Sequence, residues 1–133
     1  MRAERMSKDK VPESFGVFKP VGHVVVAFAM EADREEAAQA LEQAGFGKDV
    51  IRYGAEEMRD MTSRELAHAG ALSRLGVEKA MVERYKALSE SGYSWLVVYA
   101  PEPGQAQQVA DVVKRYRADQ AQKFGQMVIE ELL

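Results

Sequence analysis

The side chains able to do chemistry in this chain are few, and their spacing says as much by what it lacks as by what it offers. Two histidines, His23 and His68, are the only imidazoles. With an ordinary pKa of about 6.5, either can exchange a proton near neutrality, and together they make a conceivable acid–base pair. A metal site asks for three or more ligands at helix or hairpin spacing. Glu65-Leu66-Ala67-His68 has no such spacing, so no metal is expected. Glu56, Glu57 and Asp60 form an acidic group, but at a helix start carboxylates are explained by the dipole alone. Glu130 and Glu131 read as solvated residues near the C-terminus. The chain has no cysteine, which excludes disulfides, thiolate ligands and cysteine nucleophiles. Gly16, Gly22, Gly45 and Gly47 fit neither the dinucleotide nor the P-loop spacing, and no serine sits in a Gly-x-Ser-x-Gly elbow. No catalytic residue and no cofactor is assigned.

What remains is a set of aromatic groups with polar tips. Tyr93-Ser94-Trp95-Leu96-Val97-Val98-Tyr99-Ala100 reads as a strand with two unlike faces, because side chains alternate with period two. Leu96, Val98 and Ala100 ask for ordinary core. Tyr93, Trp95, Val97 and Tyr99 ask for a cover: another layer of this chain, a second subunit, a small ligand or unstacked bases. Tyr53, His68, Tyr85, Trp95 and Tyr99 are the candidate lining of an apolar pocket, with histidine and tyrosine as its polar handles.

The elements that would position these groups follow from periodicity. Residues 1–20 lack it, contain Pro12 and Pro20, and read as a flexible arm. His23 to Met30 is a near-continuous apolar run and predicts a central strand buried on both faces. A helix follows, with Asp33 as its cap and Glu36 completing a capping-box-like pair. Its buried stripe is Ala37, Ala38, Leu41 and Ala44, Gly45 is its left-handed stop, and Phe46 folds back on it. Asp49 to Tyr53 is a short strand. From about 55 to 91 the pattern is helical, broken around Gly70 to Gly76, with Met58, Met61, Leu66 and Ala69 on one stripe. Val77, Ala80, Met81, Arg84, Tyr85 and Leu88 line the second. Arg84 is the unusual member, placed to snorkel or to pair with a buried carboxylate. After the aromatic strand, Pro101-Glu102-Pro103-Gly104 turns the chain into a helix carrying Ala106, Val109, Ala110, Val113 and Tyr116. A last strand spans Gln122 to Ile129. The order βαβ, helical insertion, βαβ predicts an α+β domain over residues 21–133. Its expected plan is ferredoxin-like: a four-stranded antiparallel sheet, first and third strands central, with two helices on one face.

At 133 residues one domain with a full core is expected. Residues 1–20 carry Arg2, Arg5, Lys8, Lys10 and Lys19 against Glu4, Asp9 and Glu13, a balance of +2, so the rest holds −5 of the net −3. An acidic body suits a phosphate backbone poorly, and Leu96-Val97-Val98-Tyr99 lacks the consensus of an RNA recognition motif. Nucleic acid is therefore not the expected partner. Val24 to Met30 is too short to cross a bilayer, and Met1 to Pro20 has no apolar signal-peptide core, so the expected location is the cytoplasm.

Leu96 to Pro101, Ala121-Gln122-Lys123-Phe124-Gly125 and Ile129-Glu130-Glu131-Leu132 resemble a group of uncharacterised proteobacterial proteins. Val26-Ala27-Phe28, Asp33 to Ala38 and Ala44-Gly45-Phe46 are distantly similar to the bacterial heat-induced general-stress domain, to which the central helical segment is an addition. The resemblance implies a ferredoxin-like domain with no established catalytic residues. The expectation is a non-catalytic, stress-associated or regulatory interaction domain that forms a homodimer. The alternative is a small-molecule-binding protein or enzyme with an apolar pocket between sheet and helical insertion.

Overall fold

Six consecutive residues, His23-Val24-Val25-Val26-Ala27-Phe28, are apolar or β-branched on both faces but for the histidine, a pattern that pays off only in the middle of a sheet covered on both sides. The computed structural model places them there. It describes residues 4–11, 13–14, 17–69, 77–126 and 128–133, with side chains at all of these but 13, 14, 17, 18, 68, 69, 77 and 78.

In chain order, β1 (Glu13–Ser14) pairs antiparallel with β2 (Val17–Phe18) as a small separate sheet. Then come β3 (His23–Phe28), α1 (Glu31–Leu41), β4 (Val50–Tyr53), α2 (Ala55–Ala69), α3 (Val77–Glu90), β5 (Ser94–Tyr99), α4 (Gln105–Lys114), β6 (Gln120–Phe124) and β7 (Ile129–Glu131). Among the described residues the class is α+β, with four α-helices and a main sheet of order β4-β5-β3-β6-β7 in which every pairing is antiparallel. All six residues of β3 and all six of β5 are buried.

Two layers cover this sheet. Val24, Val26 and Phe28 join Leu96 and Val98 in a core built with Ala37, Ala38 and Leu41 of α1 and Val109, Val112 and Val113 of α4. Val25, Ala27, Trp95 and Val97 point the other way, under Met58 and Met61 of α2 and Met81, Val82 and Tyr85 of α3. The chain's own helices therefore cover the aromatic face that suggested a second subunit.

The expected four strands are five. The run from Gln122 to Ile129 is not one strand: Gly125 N–H donates to Val128 O at 2.8 Å, and a Cβ on Gly125 would meet that oxygen at 3.0 Å. The chain turns there and β7 pairs back on β6, Phe124 opposite Ile129 and Gln122 opposite Glu131. The start of α1 also differs. Met30, extended and without a side-chain cap bond, precedes the helix, and Asp33 lies inside its first turn with Glu31, where both carboxylates favour the positive helix end. Ala44 is exposed, whereas Gly45 takes the expected left-handed φ of 104° and Phe46 is buried. On α3 the buried side includes Met81, Val82, Tyr85 and Ser89, and it leaves Ala80 and Arg84 exposed. Gly70 and Gly76 lie outside the described residues.

The edge strand β4 is blunted by charge. Arg52 reaches Glu35 with Nε at 2.9 Å and Glu42 at 3.2 Å, and Arg34 donates to the Tyr53 carbonyl at 3.2 Å.

Candidate functional site

The register of the sheet builds one row of side chains under the helical hairpin. Trp95 lies opposite Tyr53 on one side and Ala27 on the other, and Ala27 lies opposite Gln120. One step along, Ile51, Val97, Val25, Gln122 and Glu131 form the next row. The layer is thus apolar and aromatic from β4 to β3 and turns polar at β6 and β7. Tyr85 of α3 stands over the change, edge-on to Trp95 with ring centroids 4.7 Å apart and an interplanar angle of 65°, a favoured aromatic geometry.

At the polar side Tyr85, Gln122, Gln120, Glu131 and Arg84 bond one another. Tyr85 O–H donates to Gln122 Oε1 at 2.8 Å. Gln122, fully buried, donates from Nε2 to Glu131 Oε1 at 2.8 Å and to Gln120 Oε1 at 3.2 Å. Arg84, exposed, donates to Gln120 and Glu131 at 3.5 Å. The carboxylate that answers Arg84, Glu131, is half-exposed and not buried as expected. Burial first, and then the Glu131 charge, push the Tyr85 phenol well above its ordinary pKa.

At the apolar side the picture reverses. Trp95 Nε1 and Tyr53 Oη are buried and have no hydrogen-bond partner among the described residues. Burial, with Glu57 as the smaller cause, pushes the Tyr53 phenol up to about 12. On α2, Thr62 satisfies itself by donating to Met58 O at 2.8 Å, and Glu65 is buried on the same helix side.

The far end of β3 carries a second arrangement. His23 is fully buried. Its Nδ1 lies 3.0 Å from Val21 O and its Nε2 accepts the Met6 N–H at 3.1 Å. Tyr99 packs against the ring, centroids 5.0 Å apart, and the Arg5 guanidinium sits 5.4 Å from the Tyr99 centroid. Arg5 Nε also pairs with Asp49 Oδ1 at 2.6 Å. Desolvation lowers the His23 pKa, against weaker opposing pulls from its backbone bonds and Asp49. Lys8 pairs with Glu57 at 2.7 Å and lies 5.0 Å from the Tyr53 ring centroid. Glu57 also accepts the Gly54 N–H at 3.0 Å, and Lys8 first, then Gly54, hold its carboxyl below the usual range. Glu56 and Asp60, its companions in sequence, are exposed.

Of the five residues named from sequence as a lining, Tyr53, Tyr85 and Trp95 meet in one cluster. Tyr99 lies at the other end of β5 against His23 and Arg5. His68 falls in α2, and its side chain lies outside those described. Sequence reasoning missed Gln122 and Met6. Alternation of Gln120 and Gln122 along a strand signals a polar row, whereas nothing local marks Met6 as a core residue. Among the described residues, no group of three histidine or carboxylate side chains is placed to hold a metal, and no helix is long and apolar enough to cross a membrane.

Fold and layer together define an α+β domain with one aliphatic and one aromatic core. No protein-family model, curated protein or solved structure matches the chain.

Proposed function

We propose that this chain is a non-catalytic, ferredoxin-like binding domain, and that the layer between sheet and hairpin holds a small, largely apolar molecule carrying a hydrogen-bond acceptor. The strand order β4-β5-β3-β6 supports the ferredoxin-like part, with β7 as an added edge and α2–α3 as an insertion. The observation that supports the binding part is the pair of unpartnered donors. Tyr53 and Trp95 are direct cross-strand neighbours, and each buries a donor with no acceptor among the described residues. A buried donor left unsatisfied costs about 1–3 kcal/mol, and natural cores carry few of them. An acceptor lodged beside them removes that penalty. Met58, Met61 and Met81 line the same layer, and their unbranched side chains re-pack readily around a guest.

The single tryptophan makes this testable at one atom. Thermal-shift screening against small metabolites, followed by NMR of the Trp95 indole N–H, is the experiment. A binder raises Tm and moves the indole resonance, and Tyr53→Phe weakens its binding about tenfold. Binders that leave the indole resonance in place, or bind Tyr53→Phe as tightly as the wild type, overturn the reading.

A further inference from the structure

The hydrogen-bond directions on His23 fix its protonation state. Val21 O is an acceptor only, so the nitrogen 3.0 Å from it, Nδ1, carries the proton. Met6 N–H is a donor only, so Nε2, 3.1 Å away, must present its lone pair. Both contacts together demand the neutral imidazole protonated on Nδ1. We infer that residues 4–11 are a strap latched to the sheet by neutral His23, and that proton uptake at His23 Nε2 unlatches it. The imidazolium sets two N–H donors against each other, and the ring is fully buried, so water cannot separate them without moving the strap.

The charged and titratable groups around the ring do not rescue the cation. Asp49, from the turn before β4, favours it, but that carboxylate already holds Arg5 of the strap at 2.6 Å. Lys123 of β6 opposes it. Tyr99 of β5 offers its ring, yet Arg5 also occupies that neighbourhood. Among the described residues the strap is also held by the buried Met6 side chain, by Arg5 and Lys8 over the Tyr99 and Tyr53 rings, and by the ion pairs Arg5–Asp49 and Lys8–Glu57; the carboxylates of those pairs ordinarily titrate near pH 4. Among the described side chains that contact the strap, His23 is thus the one that ordinarily titrates in the histidine range.

Release has a structural consequence. Met6 is buried in the same cluster as Tyr53, Trp95 and Tyr85, and Lys8 covers the Tyr53 ring. Unlatching opens the aromatic layer at the His23–Tyr99 end and leaves the aliphatic layer untouched. The sign follows from the lowered pKa: the latch is at full strength above the ordinary histidine value. As pH falls below about 6.5, the docked-to-released ratio drops by up to tenfold per pH unit until the depressed value is reached. This inference does not depend on a ligand in the layer.

Amide hydrogen exchange of the full chain, corrected for intrinsic rates, tests it between about pH 7.5 and 5. The Met6 amide should lose protection by up to tenfold per pH unit below about 6.5, while the Val97 amide in β5 keeps its own. His23→Gln, whose side-chain carbonyl accepts the Met6 N–H at any pH, should show a flat profile. Nitrogen shifts of the wild-type ring give a check that needs no variant: neutral His23 should be protonated on Nδ1 and titrate below a free histidine. The opposite tautomer, a pH-independent Met6 amide, a parallel loss at Val97, or the same loss in a folded His23→Gln each overturns the inference.

Discussion

The two faces of the sheet are covered alike by two helices and built on different chemistry. Toward α1 and α4 the contacts are valine, alanine, leucine and phenylalanine, and Ala37 and Ala38 let α1 approach closely. Nothing in that layer depends on a proton or a partner. Toward α2 and α3 the contacts are methionine and aromatic side chains. That layer also carries Gln122, Tyr85 and His23 in buried hydrogen bonds and leaves Trp95 Nε1 and Tyr53 Oη without any among the described residues. The first face is stabilised by shape; the second holds polar groups whose burial stays tolerable only while each partner stays in place. Stability and responsiveness are therefore separated across one sheet.

The largest expected effect tests the aliphatic side. Leu96→Ala removes a fully buried side chain from the tightly packed layer and should lower unfolding free energy by about 2–5 kcal/mol in urea titration. On the other face Met58→Leu, equally buried, should cost less than about 1.5 kcal/mol. Equal losses at the two sites would erase the distinction between a shape-built and an adaptable layer.

Next in size is the polar side of the aromatic layer. Tyr85→Phe strands Gln122 Oε1, whose donor is the Tyr85 hydroxyl, and should cost about 1–3 kcal/mol. The same buried phenols set an alkaline limit. Tyr53 and Tyr85 both resist ionisation in the folded state, while in the unfolded chain they ionise near the ordinary value of about 10. Their contribution is complete below that value and falls as pH rises above it. Tm measured from about pH 9 to 11 should decline more steeply for the wild type than for Tyr85→Phe, after correction for the difference at neutral pH.

How much of this was legible in the sequence depends on whether the signal was local. The apolar runs at His23–Phe28 and Ser94–Tyr99 announced two buried strands, and Gly45 followed by Phe46 announced the break in the helical turn, Glu42–Phe46, that extends beyond α1. The aromatic face of β5 announced that something must cover it, and α2 and α3 do. The break before β7 was missed because Gly125 was read within a strand, although a close backbone approach there excludes a side chain. The three-four spacing of α3 places Arg84 on the inward stripe. The helix sits slightly rotated from that stripe, so Val82 and Ser89 are buried and Arg84 reaches Glu131 at the surface. Met6 was not legible at all, because its partner His23 is seventeen residues away and no period connects them.

A smaller effect separates the two unpartnered donors from the satisfied ones. Tyr53→Phe removes a hydroxyl that has no partner among the described residues, so the apo protein should be unchanged or more stable by up to about 1 kcal/mol. It is the opposite sign from Tyr85→Phe, at a position in the same cluster. A loss exceeding about 1 kcal/mol would mean that the Tyr53 hydroxyl is bonded after all.

The smallest effect concerns the strap. Lys8 and Glu57 are both half-exposed, and exposed ion pairs contribute about 0–1 kcal/mol. Lys8→Gln should therefore shift global stability by less than about 0.5 kcal/mol, with any difference fading as salt screens the pair. Its ammonium sits over the Tyr53 ring, however, so the Met6 amide should exchange slightly faster in Lys8→Gln at every pH without a change in the shape of its pH profile. That separation matters: an ion pair adds a constant to strap docking, whereas His23 supplies its slope. A Lys8→Gln profile that flattens with pH would move the latch from the imidazole to the strap's surface charges. An unchanged slope leaves it on His23, a buried ring whose two nitrogens face groups of opposite hydrogen-bonding character.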